Sequence, residues 1–276
     1  MNDGRFATGS QDKSIIIYNN TTYKPDLIIK EHKGQIMSLI QLSSGILCSA
    51  SNDDTINLYN INGNNYNVLQ TLTDHKAPVT KIIELNDNRL ASSSVDQSII
   101  FHFKDKEEYI KEFDIKTEGF SYHVTQTKEN EICYSIRDNS NIYFFDLQER
   151  KVKSTINNIK QFKYDNSQEW LLMLSKDLLL VPGDNKIFIV NVNHYKLVRE
   201  INVQDSGFIS AGCMLNRNML ITGDHSKVLR QWRIEGDNLI LISKKDNVHE
   251  KEITCLLKIG NGHIVSGSYD SKIKIW

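Results

Sequence analysis

A set of four residues recurs three times at the same separations in this chain of 276 residues. A histidine is followed 17 residues later by a serine, 4 residues further by an aspartate, and 6 further by a residue with a ring. The three sets are His32, Ser49, Asp53 and Tyr59; His75, Ser92, Asp96 and His102; and His249, Ser266, Asp270 and Trp276. A spacing that recurs in this way indicates a repeat protein, in which every unit builds the same small structure.

The serine and aspartate of each set predict a hairpin. Runs that alternate apolar with polar or small residues flank a Ser-x-Asp turn, as around 51–53 and 268–270, and such runs favour two half-buried strands. An aspartate in the turn accepts hydrogen bonds from backbone amides and an imidazole, while serine bridges that imidazole to a ring donor on the next strand. Each bond contributes about 0.5 to 1.5 kcal/mol, so we expect the four side chains to lock strand to turn.

The order His, Ser, Asp and ring resembles the structural tetrad of the WD40 repeat, where tryptophan fills the last position. When the turn aspartates are aligned, the intervals between units range from 41 to 46 residues, close to the WD40 period of about 40 to 45. The aligned positions are Asp12, Asp53, Asp96, Asp138, Asp184, Ser226 and Asp270. The resemblance therefore implies an all-β fold, a seven-bladed WD40-type β-propeller with four-stranded antiparallel blades.

The match is incomplete at both ends and in the middle. Tryptophan fills the ring position only at Trp232 and Trp276. The fourth and fifth units lack the histidine and serine, so the spacing does not fix their register. No residue lies 17 positions before Thr8, so we predict a first blade without its inner strand and a last blade without its outer strand.

We expect a single propeller domain over residues 1–276. Two explanations for its incomplete blades remain open. The one we favour is that the chain is part of a longer protein whose other residues complete both blades. The other is that the chain is entire and either tolerates the missing strands or accepts a strand from a partner.

The residue types of a catalytic triad are present, but their pattern argues against catalysis. A triad needs one nucleophile in a cleft beside an oxyanion hole, whereas here the set recurs from unit to unit. The sequence has no GxSxG, phosphate-binding loop or HExxH motif, and the spacing of cysteine and histidine fits no zinc site. We predict that the protein is not an enzyme, with no catalytic residue, metal site or cofactor.

Composition narrows the expected partners and location. Lys and Arg number 33 against 34 Asp and Glu, a balance that predicts no basic face for nucleic acid. No secretory signal, lipidation motif or apolar run of spanning length occurs, so we expect no membrane insertion. We interpret Cys48, Cys133, Cys213 and Cys255 as buried thiols in a reducing compartment, and we expect an intracellular protein, in the cytoplasm with the nucleus left open.

The WD40 resemblance also implies where partners bind, namely the loops at the top face, where the inner strands begin. These positions lie three and five residues after the histidine of a unit and one before its turn aspartate. The candidate partner-binding residues are Met37, Asn52, Phe120, Tyr122, Arg137, Phe208 and Tyr269. Two aromatic rings and an arginine distinguish blade 4, because these types are enriched at binding hot spots. A slip of one residue exchanges the two faces of a strand, so Phe120 and Phe208 remain candidates for the core.

The predicted function is a protein-protein interaction scaffold or peptide-binding adaptor that uses its top face and has no catalysis of its own. Its partners would be other proteins or peptides. One alternative is a structural subunit of a larger assembly that is bound through its sides. Another is the targeting domain of a larger enzyme.

Overall fold

The computed structural model of the chain describes residues 1, 3–136, 139–159 and 170–276. In these ranges the regular elements are β-strands, which form seven antiparallel sheets, and within each sheet neighbouring strands follow one another in the chain. No element of the described chain is a helix of the length and apolarity that would cross a membrane.

The first three blades precede residue 120. Blade 1 contains β1 (Phe6–Gly9), β2 (Ile15–Tyr18) and β3 (Pro25–Ile29). Blade 2 contains β4 (Ile36–Gln41), β5 (Leu47–Ser51), β6 (Ile56–Asn62) and β7 (Asn65–Leu72). Blade 3 contains β8 (Val79–Glu84), β9 (Leu90–Ser94), β10 (Ser98–Asp105) and β11 (Glu108–Lys116).

The other four blades follow in the same way. Blade 4 contains β12 (Ser121–Lys128), β13 (Glu131–Ile136), β14 (Ile142–Asp146) and β15 (Lys151–Ile156). Blade 5 contains β16 (Leu172–Met173), β17 (Leu178–Gly183), β18 (Lys186–Asn191) and β19 (Lys196–Asn202). Blade 6 contains β20 (Ile209–Asn216), β21 (Met219–Asp224), β22 (Leu229–Glu235) and β23 (Asn238–Lys245), and blade 7 contains β24 (Ile253–Lys258), β25 (Ile264–Ser268) and β26 (Ile273–Ile275).

The predicted fold class is confirmed, including its two three-stranded blades. Ser10 and Asp12 follow β1 just as Ser51 and Asp53 follow β5, so β1 corresponds to the second strand of a blade. Among the described residues, the strand that blade 1 lacks is therefore the inner one. In blade 7, β26 corresponds to the third strand, and an outer strand is absent from the described residues.

The chain divides into two compact units, the first mainly Met1–Glu129 and the second mainly Asn130–Ser135 with Asn139–Trp276. In each unit the core consists of layers between neighbouring blades. In the first unit, Ala50 and Ile56 of blade 2 lie in one buried cluster with Val79 of blade 3. Burial of an aliphatic side chain of this size contributes about 1.5 to 3 kcal/mol, so the second strands, buried on both faces, hold neighbouring blades together.

The cysteines show that strand placement alone does not fix burial. Cys48 and Cys133 are buried as expected, but Cys213 is half-buried and Cys255 is exposed. Cys255 lies on β24, an inner strand, whereas Cys48 and Cys133 lie on second strands between two layers. The expectation of four buried thiols is therefore wrong for Cys255.

Candidate functional site

Blade 2 shows how the recurrent residues position its Ser-x-Asp turn. His32 Nδ1 lies 2.9 Å from Oδ2 of Asp53, and His32 Nε2 lies 2.6 Å from Oγ of Ser49. The backbone amide of Lys33 donates to the same Asp53 oxygen at 2.7 Å. The Ser49 hydroxyl lies 3.5 Å from the Tyr59 hydroxyl, at the limit of a hydrogen bond. These contacts tie the loop before β4 to the turn that joins β5 and β6.

Blade 7 contains the same arrangement with tryptophan in the fourth position. His249 Nδ1 lies 2.8 Å from Oδ2 of Asp270, and Nε2 lies 2.8 Å from Oγ of Ser266. Trp276 Nε1 donates to that serine oxygen at 2.9 Å, and the Glu250 amide donates to Asp270 at 2.9 Å. All four side chains of this set are therefore joined by hydrogen bonds.

Blade 3 departs from the expected pattern at its fourth residue. His75 lies 2.9 Å from Oδ2 of Asp96 and 2.8 Å from Oγ of Ser92, as in the other sets. His102 does not complete the set, because its Nε2 lies 3.0 Å from Asp74 Oδ2, on the loop before His75. Imidazole is shorter than indole, and a carboxylate is a stronger acceptor than a hydroxyl. The assignment of His102 to this tetrad is therefore wrong, since it pairs with Asp74.

The hydrogen bonds of these sets keep the turn aspartates ionised. Burial raises the pKa of Asp53, but hydrogen bonds from Thr55, the Lys33 amide and His32 outweigh it and hold this pKa at about 2. Burial opposes ionisation of Asp270 too, and bonds from the Glu250 amide and His249 bring its pKa to about 2. The carboxylate form is therefore the one that holds each turn.

Blade 6 replaces the histidine set by a buried ion pair that the sequence analysis missed. Ser226, aligned with the turn aspartates, does not take their role. Instead Asp224 pairs with Arg230, and both side chains are buried. Arg230 also donates to the backbone oxygens of Gln204 and Asp205, at 3.2 and 3.0 Å, on the loop before β20. An arginine thus joins loop and turn where other blades use histidine.

The remaining half of the blade 6 network keeps the expected spacing. Trp232 Nε1 donates to Thr222 Oγ1 at 2.9 Å, the counterpart of the bond between Trp276 and Ser266. The sequence signal that could have revealed the change is Asp224, two residues before the aligned position, followed six residues later by Arg230 on a predicted strand. An aspartate and an arginine at this separation can pair across the turn, and a charge that is buried needs such a partner.

The distances within these sets resemble those of a catalytic triad, but the serines are inaccessible. Ser49, Ser92 and Ser266 each have 0% of their surface exposed. A nucleophile must reach its substrate in a cleft. The three hydroxyls therefore serve as structural hydrogen-bonding groups.

In the first unit, four candidate partner-binding residues are half-buried beside the turns: Met37, Asn52, Phe120 and Tyr122. The Asn52 amide donates to the Gln35 carbonyl at 2.9 Å, and the Gln35 side-chain nitrogen lies 3.0 Å from Met37 Sδ. Met37 and Asn52 thus belong to one local cluster next to the blade 2 turn.

Three candidates fall at the other turns, with different outcomes. Arg137 lies outside the described residues. Phe208 is only 1% exposed and packs edge-on against His225, with ring centroids 5.4 Å apart, so its assignment as a surface residue is wrong. A register slip does not explain this, because the His225 amide donates to the Phe208 carbonyl at 3.0 Å, as the Asn52 amide does to that of Gln35. The ring is buried in the predicted register. Tyr269 is 38% exposed.

Tyr269 is the middle residue of a turn fixed on both sides. The Asp270 amide donates to Ser268 Oγ at 3.1 Å, and the Asp270 carboxylate accepts from His249 and the Glu250 amide. The Tyr269 amide donates to the Glu252 carbonyl at 3.2 Å. Burial and the nearby Glu252 carboxylate raise the pKa of the Tyr269 hydroxyl, so it is neutral. The turn presents a neutral ring beside a carboxylate.

Comparison with known families supports the assignment of the repeat. A family model described as WD domain, G-beta repeat, matches residues 243–276. A comparison with curated proteins found no match. The matched segment contains the complete set of His249, Ser266, Asp270 and Trp276, and the sheets have the fold class of a seven-bladed β-propeller. Residues 243–276 therefore match a WD40 repeat, within a chain whose strands form seven blades.

Proposed function

We propose that this protein is an interaction scaffold or peptide-binding adaptor that holds other proteins at its Ser-x-Asp turns. The observation that carries the proposal is the turn 268–270, where a network of buried hydrogen bonds holds an exposed tyrosine. A WD40 propeller commonly mediates protein interactions, which supports the same role. The proposal treats residues 1–276 as one domain.

The rigidity of the turn matters because it lowers the entropy lost on binding. A loop side chain that becomes ordered only on association costs about 0.5 to 1.5 kcal/mol. The turn at Tyr269 is already held by His249 and Ser268, so a partner would meet an ordered surface. Tyrosine is also among the residue types that dominate binding energy at interfaces. In the first unit, Asn52 occupies the same place in a turn held by His32.

The test is affinity purification from the source cell with mass spectrometry of the bound proteins. The wild-type protein is compared with Tyr269→Ala and with Met37→Ala/Asn52→Ala/Tyr122→Ala. Thermal unfolding first shows that each variant remains folded. Loss of specific partners from either variant supports binding at the turns, and an unchanged set of partners in both contradicts it.

A second candidate role is favoured by the outer strands of the second unit. Leu197 and Val198 on β19, and Leu241 and Ile242 on β23, are exposed although they are apolar. Exposed apolar residues on neighbouring strands are typical of contact surfaces. This arrangement supports a structural subunit bound through its sides. The variant Val198→Ser/Leu241→Ser tests it in the same purification and serves as the matched control for the turn variants.

A further inference from the structure

A cleft opens between blades 2 and 3, at the end of these blades opposite their Ser-x-Asp turns. It is bordered by the turn between β4 and β5, the turn between β8 and β9, and the hairpin of β10 and β11. Its volume is about 480 Å³, within the range of small-ligand sites, and polar and apolar groups both line it. The cleft lies within the first unit and is separate from the proposed turn surface.

Tyr109 places an unused hydroxyl in the cleft. The residue is only 5% exposed, and its hydroxyl has no hydrogen-bond partner among the residues that the structure describes. Its backbone is fixed by Gln70, whose side chain bonds the Tyr109 amide and carbonyl, each at 2.8 Å. Burial, with the nearby Glu84 carboxylate, raises the pKa of this hydroxyl to about 12, so it stays neutral. A neutral hydroxyl that lines the cleft can accept a hydrogen bond from a ligand there.

Glu84 places an uncompensated negative charge beside that hydroxyl. Its two carboxylate oxygens accept from the Ser43 amide at 2.7 Å and the Ser43 hydroxyl at 2.8 Å. Both donors are neutral, and no lysine, arginine or histidine of the described chain forms an ion pair with Glu84. Arg89, the nearest guanidinium of the lining, already pairs with Asp87 at 2.8 Å and Glu112 at 3.1 Å. Each Glu84 oxygen keeps a lone pair for a further donor.

The rim of the cleft adds an aromatic surface and one mobile charge. The side chain of Phe103 is 39% exposed and lines the cleft, so it offers a ring face to a cation. Lys104 is exposed at the rim, where its long stem lets the ammonium turn to solvent. The lining carries two carboxylates, those of Glu84 and Asp87, and two cations, those of Arg89 and Lys104. Because Asp87 is paired with Arg89, Glu84 is the carboxylate of the lining that forms no ion pair among the described residues.

We propose that this cleft binds the arginine side chain of a basic peptide segment. The guanidinium donates to Glu84 and to the Tyr109 hydroxyl, and its plane stacks on the Phe103 ring. Arginine fits better than lysine because its planar fork reaches several acceptors at once and stacks on aromatic rings. The proposal rests on the charge of Glu84 and the free hydroxyl of Tyr109.

The test is an NMR titration of the isotopically labelled full chain with capped tripeptides. Gly-Arg-Gly is expected to shift the amide signals of Ser43, Glu84 and Lys104 at millimolar concentration, while Gly-Glu-Gly leaves them in place. Glu84→Gln keeps the size of the side chain and removes its charge, and we expect affinity to fall about tenfold or more. Glu129→Gln removes an exposed carboxylate outside the cleft and should bind as the wild type does.

If Glu84→Gln does not fold, two other variants test the proposal. Phe103→Ala alters an exposed ring, and Tyr109→Phe removes only the hydroxyl, so both should weaken binding several-fold while thermal unfolding of Phe103→Ala stays unchanged. Stronger shifts with the glutamate peptide would overturn the proposal. So would an absence of shifts with the arginine peptide, or equal affinity in all the cleft variants that fold.

Discussion

Asp224 and Arg230 form an ion pair in which both side chains are buried. Removing one partner leaves a charge without compensation in the interior, which costs about 3 to 5 kcal/mol. We therefore expect Arg230→Met to lower the free energy of unfolding by this amount, measured by urea denaturation. The guanidinium also bonds the carbonyls of Gln204 and Asp205, so the loop before β20 should exchange its amide hydrogens faster in this variant.

The double variant Arg230→Met/Asp224→Leu separates the cost of an unpaired charge from the contribution of the pair. Because both charges are removed, we expect it to recover most of the stability that Arg230→Met loses. If the double variant is as unstable as the single one, the pair itself stabilises blade 6 and the argument from an uncompensated charge fails.

The serine hydroxyl of a complete set contacts both the histidine and the tryptophan, so its removal should leave both of these side chains without a partner. Ser266→Ala removes the partner of His249 Nε2 and of Trp276 Nε1. A buried polar group left without a partner costs about 1 to 3 kcal/mol, and we expect a loss in this range by urea denaturation. Ser243→Ala removes an exposed hydroxyl that contacts only the Gln231 side chain at 3.2 Å, so it is the matched control and should lose less.

At the scale of single residues, the sequence predicted the contacts of histidine with serine and aspartate in blades 2, 3 and 7, where their spacing is intact. Ser49 and Asp53 could be placed because a histidine 17 residues before the serine has few other roles. Asp224 could not be placed, since its partner is an arginine on the following strand and not a histidine in the preceding loop. Phe208 was misplaced although its register is the predicted one, because the spacing locates the residue but does not show that its ring is buried.

At the scale of elements, the loop before an inner strand must lie close to the Ser-x-Asp turn of its blade. A Cβ added at Gly34 would lie 2.5 Å from the Asp53 amide nitrogen and 2.7 Å from the Asn52 carbonyl carbon, both backbone atoms. Backbone cannot move aside as a side chain can, so Gly34→Ala should push the loop from the turn. We expect a loss of about 1 to 3 kcal/mol by urea denaturation.

The matched control for this prediction is Gly260→Ala. A Cβ at Gly260 would meet no atom within 4 Å, so the same change in composition should leave the unfolding midpoint near that of the wild type. Equal midpoints for the two variants would show that the loop tolerates displacement and that the turn is less rigid than proposed.

The elements themselves were predictable because the interval between turns is nearly constant. Each turn aspartate marks the junction of the second and third strands, and the remaining strands follow from the length of chain between two junctions. The fifth blade shows where this reasoning ends. Its inner strand β16 has only two residues and carries no histidine before it, so neither motif nor alternation could fix its register.

At the scale of the whole molecule, the turn carboxylates of several blades titrate together. The pKa of Asp53 and of Asp270 is about 2 in the folded protein, below the value of about 3.9 for an aspartate in an unfolded chain. A group whose pKa is lowered by folding stabilises the native state above its unfolded value, and this contribution is lost as pH falls through its folded value. The pKa of Asp96 is lowered in the same direction.

Lowering the pH should therefore reduce the stability of the wild type more than that of a variant without these charges. We expect Asp53→Asn/Asp270→Asn to have a lower urea midpoint than the wild type at pH 7, because asparagine cannot offer an ionised acceptor to His32 and His249. Below about pH 4 the aspartates of the unfolded wild-type chain bind protons while those of the folded protein stay ionised until about pH 2. The wild type therefore loses its advantage, and the two midpoints should converge as pH falls from 5 toward 2. A difference that stays constant over this range would mean that the turns are held by the shape of the hydrogen bonds and not by charge.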